Sequence, residues 1–189
     1  MKLALVTLAL LLSIESLFAG TYNVDKDHSS IGFKVKHMMI SNVKGQFDTF
    51  SGSFEYDEKT KMLKALTGVV DVNSINTDNA KRDRHLKSSD FFDAANYPEM
   101  KLTLVKVDGE TAYAKLSIHG ITKEVKMELE TSGMVIKDPW GNSRTGLSLS
   151  TSINRMDYGL KWTDLMETGG MIVGDKVKIS IELEGILAK

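Results

Sequence analysis

From Ile31 onward apolar and polar residues alternate, with Ile31, Phe33, Val35 and His37 on one side and Gly32, Lys34 and Lys36 on the other. A two-residue period is that of a β-strand with one buried face. It returns in Ala112, Leu116 and Ile118 against Tyr113, Lys115 and Ser117, and in Val125, Met127 and Leu129 against Lys126, Glu128 and Glu130. Near the end, Val177, Ile179, Ile181 and Leu183 oppose Lys176, Lys178, Ser180 and Glu182. Parallel strands covered on both faces would read as unbroken apolar runs, so these are antiparallel. Turn signals separate them: Asp57-Glu58-Lys59-Thr60, Asp108-Gly109, His119-Gly120 and Asp138-Pro139-Trp140-Gly141-Asn142. About eight strands result. With no second layer to cover them they must close or stack, and their hairpin spacing predicts closure into an all-β, eight-stranded antiparallel barrel. One stretch breaks the rhythm: Thr77 to Phe92 reads as a helix from Asn79 to Lys87 capped by Thr77 or Asp78.

The first nineteen residues follow a different pattern. Lys2 precedes an apolar run from Leu3 to Leu12, then come Ser13, Ser16 and Ala19, as in a secretory signal peptide. The run is shorter than the roughly 20 residues a membrane-spanning helix needs. Cleavage after Ala19 is expected, leaving residues 20–189 as one exported domain, periplasmic or secreted. Composition narrows the function. Twenty-four Lys and Arg face 25 Asp and Glu, so no global positive field collects nucleic acid. The absence of cysteine removes disulfides, thiolate catalysis and cysteine-held metals. His28, His37, His85 and His119 are scattered, without H-x-x-x-H or H-E-x-x-H spacing, and the nucleophile-elbow, Walker and dinucleotide patterns are missing. His28 and His119 read as partners of turn backbone. The expectation is a binding protein, not an enzyme, with no metal or cofactor.

Several segments carry a family resemblance. Tyr22-Asn23-Val24-Asp25, His28-Ser29, Phe33-Lys34-Val35-Lys36-His37, Gly45-Gln46-Phe47 and Phe50-Ser51-Gly52 open it. Ser74-Ile75-Asn76-Thr77, Arg82-Asp83-Arg84-His85-Leu86-Lys87-Ser88, Asp90-Phe91-Phe92-Asp93 and Tyr97-Pro98 form its centre. Ile118-His119-Gly120-Ile121-Thr122-Lys123 and Asn154-Arg155-Met156-Asp157-Tyr158-Gly159-Leu160 follow. In order and spacing these resemble the YceI-like family of polyisoprenoid-binding proteins. The resemblance implies a lipocalin-like barrel with one helix near its mouth, holding one long apolar chain: a polyisoprenoid, an isoprenoid quinone or a fatty acid or amide. It also implies an exported bacterial protein, often a homodimer, with transient contact to membrane proteins. The alternative is an exported barrel with a filled core, serving as a protein-interaction module without cargo.

Alternation then selects the lumen. If Phe33 and Val35 point inward, so should His37, Phe50, Phe54, Val70, Val72, Leu102, Leu104, Leu116, Ile118, Val125, Met127, Ile179 and Ile181. Small positions among them, Gly52, Gly68, Ala112, Ala114, Gly146, Ser148 and Ser150, are expected to leave room for a guest, which an eight-stranded barrel can hold. Met38, Met39, Trp162, Leu165, Met166 and Met171 are expected at a mouth or lid, where pliable thioethers suit an irregular guest. On the helix, Asp78 precedes Arg82 and Asp83 precedes Lys87 at the favourable four-residue spacing. Lys81, Arg84 and His85 lack such partners and are the candidates for a polar head group.

Overall fold

The computed structural model describes residues 19–164 and 171–189. The strands are β1 (Gly20–Val24), β2 (Ser30–His37), β3 (Ser41–Phe47), β4 (Phe50–Asp57), β5 (Met62–Asp71) and β6 (Ile75–Asn76). The helix α1 (Ala80–Lys87) is followed by β7 (Glu99–Asp108), β8 (Thr111–Ile118), β9 (Ile121–Thr131), β10 (Ile136–Lys137), β11 (Ser143–Asn154) and β12 (Val173–Leu187). Antiparallel pairing runs β1-β4-β5-β7-β8-β9-β11-β12 and back to β1, a closed eight-stranded barrel. Closure leaves these strands without a free edge.

The barrel is held shut by β12. Along one edge it pairs with β11 from Lys176 to Ile186. Along the other it pairs with β1 at Gly185 to Leu187, then with β2 at Val173 to Glu182. Between β1 and β2 the chain makes a 3-10 turn, with the Asp25 carboxylate accepting from the Asp27 amide. β3 and β6 extend the sheet beyond β2, and β10 is a two-residue addition to β11.

Two turns follow directly from their residues. Asp57 Oδ1 accepts from the amides of Lys59 (2.9 Å) and Thr60 (3.0 Å), and Asp138 Oδ1 from those of Trp140 and Asn142. The helix cap differs from expectation. Asn79, not Thr77 or Asp78, caps α1, its Oδ1 accepting from the Arg82 amide at 3.0 Å. Thr77 is engaged elsewhere: its Oγ1 donates to Asp83 and accepts from Arg82 Nε, while its carbonyl accepts from Arg82 Nη2 at 2.7 Å. Arg82 and Asp83 are therefore tied back to the chain before the helix, rather than to Asp78 and Lys87.

Candidate functional site

Inside the barrel lies a cavity of about 160 Å³, an order of magnitude above the roughly 10–15 Å³ that one water requires. Its walls are carbon. Expected lumen residues Phe33, Val35, Phe50, Val70 and Leu102 line it, as do Leu116, Ile118, Ile179 and Ile181. Gly52 and Gly68, opposite each other on β4 and β5, contribute bare backbone. The cavity occupies the half of the barrel nearer α1, where Leu86 of the helix and Phe91 and Phe92 of the following turn complete the wall.

The remaining expected lumen residues lie elsewhere. Phe54 and Met127 are buried in the opposite half, where Leu104 and Val125 pack against the core. Phe54 stacks on Tyr22 with centroids 5.5 Å apart. A Cβ added at Gly185 would sit 2.6 Å from Phe54, so the ring occupies space that glycine leaves. Ala112 and Ala114 face this filled half as well, paired with Met127 and Val125; their small size makes no cavity. Val72 has left the sheet for a 3-10 turn after β5. His37 ends β2 opposite Val173, half-buried, and does not line the cavity. On β11 the buried residues are Thr145, Leu147, Leu149 and Ile153, so Gly146, Ser148 and Ser150 alternate to the outer face.

The mouth residues also divide. Met38 and Met39 form the exposed turn between β2 and β3 and do not line the cavity. Trp162 lies beside it, its ring 5.1 Å from both His85 and Phe91. Met171 is half-buried just before Val173, a wall residue. Leu165 and Met166, like the leader-type segment 1–18, lie outside the described residues. Among the head-group candidates, Lys81 and Arg84 are exposed, and none of the three lines the cavity. Residues four apart share a helix face, and it is Leu86, with Arg82 one turn before it, that faces the barrel. His85 meets Asp90 Oδ2 through Nε2 at 3.0 Å.

Two charged residues touch the wall, Lys101, which is exposed, and a buried one that alternation gave no reason to single out. Arg155 is 3 % exposed. It donates to the carbonyls of Leu160, Trp162, Val173 and Gly174 and to Asp175 Oδ1 at 3.2 Å. Burial lowers its pKa, offset in part by Asp175, yet guanidinium stays charged in proteins. Its donors are committed to backbone, so it clasps the two ends of the connection before β12 rather than offering a hand to a ligand. Phe91 and Phe92 carried a readable signal, an aromatic pair separated from the end of the helix by three residues.

At the filled end, Arg144 gathers three carboxylates: Nη1 reaches Asp25 and Glu184, both at 2.6 Å, and Nε reaches Asp138 at 2.8 Å. This contact holds the Asp138 carboxyl well below the usual range, and Asp25 is lowered chiefly for the same reason. His28 bonds the Asp25 carboxylate at 2.8 Å, not turn backbone, and its pKa is raised by that bond. Asp25, His28 and Glu184 thus cluster with their charge already met by Arg144. His119 instead packs its ring 4.3 Å from Tyr97.

Sequence and structure comparisons agree with this geometry. The YceI-like domain pattern matches residues 22–185. A UPF0312 protein of Yersinia enterocolitica is 33 % identical over 187 residues, covering 96 % of this chain and 94 % of the relative. One from Staphylococcus aureus is 37 % identical over 164 residues, covering 86 % and 95 %. Among solved structures, the Campylobacter jejuni YceI protein superposes with a TM-score of 0.70 at 33 % identity, covering 89 % of this chain and 98 % of that one. A polyisoprenoid-binding domain from Saccharophagus degradans superposes with a TM-score of 0.66 at 18 % identity, covering 88 % and 98 %, a likeness of fold.

Proposed function

Because the chain belongs to the YceI-like family, we propose that it is an exported binding protein that holds the apolar chain of a polyisoprenoid, an isoprenoid quinone or a fatty acid or amide in the cavity at the α1 end of its barrel. The observation that carries this reading is the cavity itself: a closed barrel whose opposite half is packed with aromatics, with carbon-walled space left inside this one. Each methylene moved from water into such a site contributes about 0.8 kcal/mol. Ten would supply about 8 kcal/mol, against which the ordering of the chain must be set. The Saccharophagus neighbour is a polyisoprenoid-binding domain, and at its low identity it lends the reading a shared barrel.

The leader-like first nineteen residues support export to the periplasm or beyond. No cofactor enters the reading; the lipid is the ligand. A chain longer than the enclosed space needs the cover of Leu86, Phe91 and Leu160 to shift, and its polar head would emerge beside His85 and Trp162. Arg84 and Lys81 would then act at a distance through charge. A homodimer and delivery to membrane proteins belong to the same reading.

Mass spectrometry of a gentle organic extract of purified protein tests it. The expected result is a stoichiometric long-chain lipid. An empty extract, together with no affinity for long-chain probes, would overturn the reading and leave an exported interaction module.

A further inference from the structure

The turn between β2 and β3 presents apolar side chains to solvent at an unfavourable place in the backbone. Met38, Met39 and Ile40 are 37 %, 63 % and 84 % exposed. The Ile40 amide closes the turn on the His37 carbonyl at 3.2 Å, and both central residues are left-handed, with φ of 50° at Met38 and 62° at Met39. Glycine or asparagine fills such positions at less cost. Two methionines there, followed by a nearly bare isoleucine, spend stability on keeping an apolar tip in water.

Behind the tip the outer face of the same strands is basic. The outward positions are Lys34 and Lys36 on β2, Lys44 on β3, and Lys176 and Lys178 on β12. Register places Lys44 opposite Lys34 and Lys34 opposite Lys178, a row of like charges straight across the sheet. Such pairs are destabilising. Among the described residues none of these lysines has an acidic partner within salt-bridge distance, although Asp78 and Glu128 line the same groove as Lys34, Lys44 and Lys178.

Tip and cavity share one end of the barrel. The Met38 amide donates to the Ile172 carbonyl at 2.9 Å, and the next residue, Val173, lines the cavity wall. An apolar tip backed by unpaired lysines has the two features by which proteins bind an anionic lipid surface: buried carbon, and charge attracted to the head groups. We infer that the β2–β3 tip and the lysine row of β3, β2 and β12 dock this protein on anionic membrane, with Met39 and Ile40 entering the head-group layer and the cavity end facing the bilayer. This goes beyond cargo binding and stands without it, because neither Met38, Met39 and Ile40 nor the five lysines line the cavity.

The test is flotation of the protein from Gly20 onward with phosphatidylcholine vesicles, with and without one part in three of phosphatidylglycerol. Binding to the anionic vesicles is expected at low salt, weakening as salt rises. Met39→Asn with Ile40→Ser should lower it by about tenfold, and asparagine suits the backbone at 39, so folding is spared. Lys34→Gln and Lys178→Gln should each cost about fivefold. Since the chain has no cysteine, Ile40→Cys takes a single polarity-sensitive dye, which should shift to the blue on vesicles. The same dye at Met134→Cys, exposed at the opposite end of the barrel, should not. Gly68→Leu, which fills the cavity, should leave vesicle binding intact and so separates docking from cargo. No binding to anionic vesicles at low salt would overturn the inference. So would binding unchanged by the tip substitutions and competed away by soluble heparin, or a dye response at 134 and not at 40.

Discussion

At the β1 end of the barrel Tyr22 stacks on Phe54, and Tyr56, Leu63, Met127 and Leu149 are each buried to within about 5 % of full enclosure. At the α1 end, on the same strands, Phe50, Val70, Leu102 and Ile181 face a cavity. Both halves are built from alternating strands and both have apolar inward faces. What separates them is the size of residues at matching heights: Gly52 and Gly68 lie opposite each other in one half, whereas the room left by Gly185 and Ala112 in the other is taken by Phe54 and by Met127 across the strand pair. The packed half supplies stability, which leaves the other free to stay open. A binding barrel of this size needs such a division, since a cavity forfeits the contacts of every side chain on its wall.

The sharpest way to break the comparison is to truncate one phenylalanine in each half. Phe54→Ala should cost about 4 kcal/mol and lower the thermal midpoint by about 10 °C. Phe33→Ala should cost clearly less, because that ring already borders open space, and should instead weaken lipid binding. Equal losses in thermal unfolding would mean that the halves are energetically alike.

Arg155 sets a limit on how loose the open half is. Arg155→Met removes the donors to four backbone carbonyls and leaves Asp175 without its cation, so a loss of about 3 kcal/mol is expected. Hydrogen exchange should quicken first around Leu160 to Trp162 and Val173 to Asp175, with β4 and β5 protected until global unfolding. Uniform quickening would show that the clasp belongs to the whole barrel.

How much of this was legible in the sequence follows from what alternation encodes. A two-residue period says which face a side chain takes, and it placed Phe33, Val35, Leu116 and Ile179 on the cavity wall. It does not say how high along the axis they sit. Phe54 and Leu102 are equally inward, but height depends on the register between strands, set by turn lengths and bulges. A shift between Leu104 and Lys106 and another between Val173 and Val177 are invisible in a single sequence. Small size misled for a related reason: Ala114 was read as space, but whether a small residue makes a cavity depends on its neighbour across the sheet. The helix was visible as a break in period. Its inward residue, Leu86, was passed over for the cations beside it.

A smaller effect separates the ends by pH. Asp138 and Asp25 are held below the ordinary carboxylate range by Arg144, so their contribution is fully present above pH about 4, where unfolded carboxylates ionise, and is lost as pH falls through their lower folded values. Arg144→Gln should therefore be less stable than the parent protein at neutral pH in urea unfolding. The difference should shrink as acid protonates both carboxylates. A gap that widened in acid would contradict the assignment.

The most direct measurement adds the same bulk to each half and titrates a fluorescent long-chain fatty acid. A Cβ at Gly68 meets nothing nearer than the Ser51 carbonyl at 3.8 Å, and the residue lines the cavity. Gly68→Leu should fold as well as the parent and lose most of its affinity. Ala114→Leu, in the filled half, should lose roughly 1–3 kcal/mol of stability by overpacking and, where still folded, bind the probe unchanged. Full affinity in Gly68→Leu, or its loss in folded Ala114→Leu with Gly68→Leu unaffected, would contradict a lipid site at the α1 end.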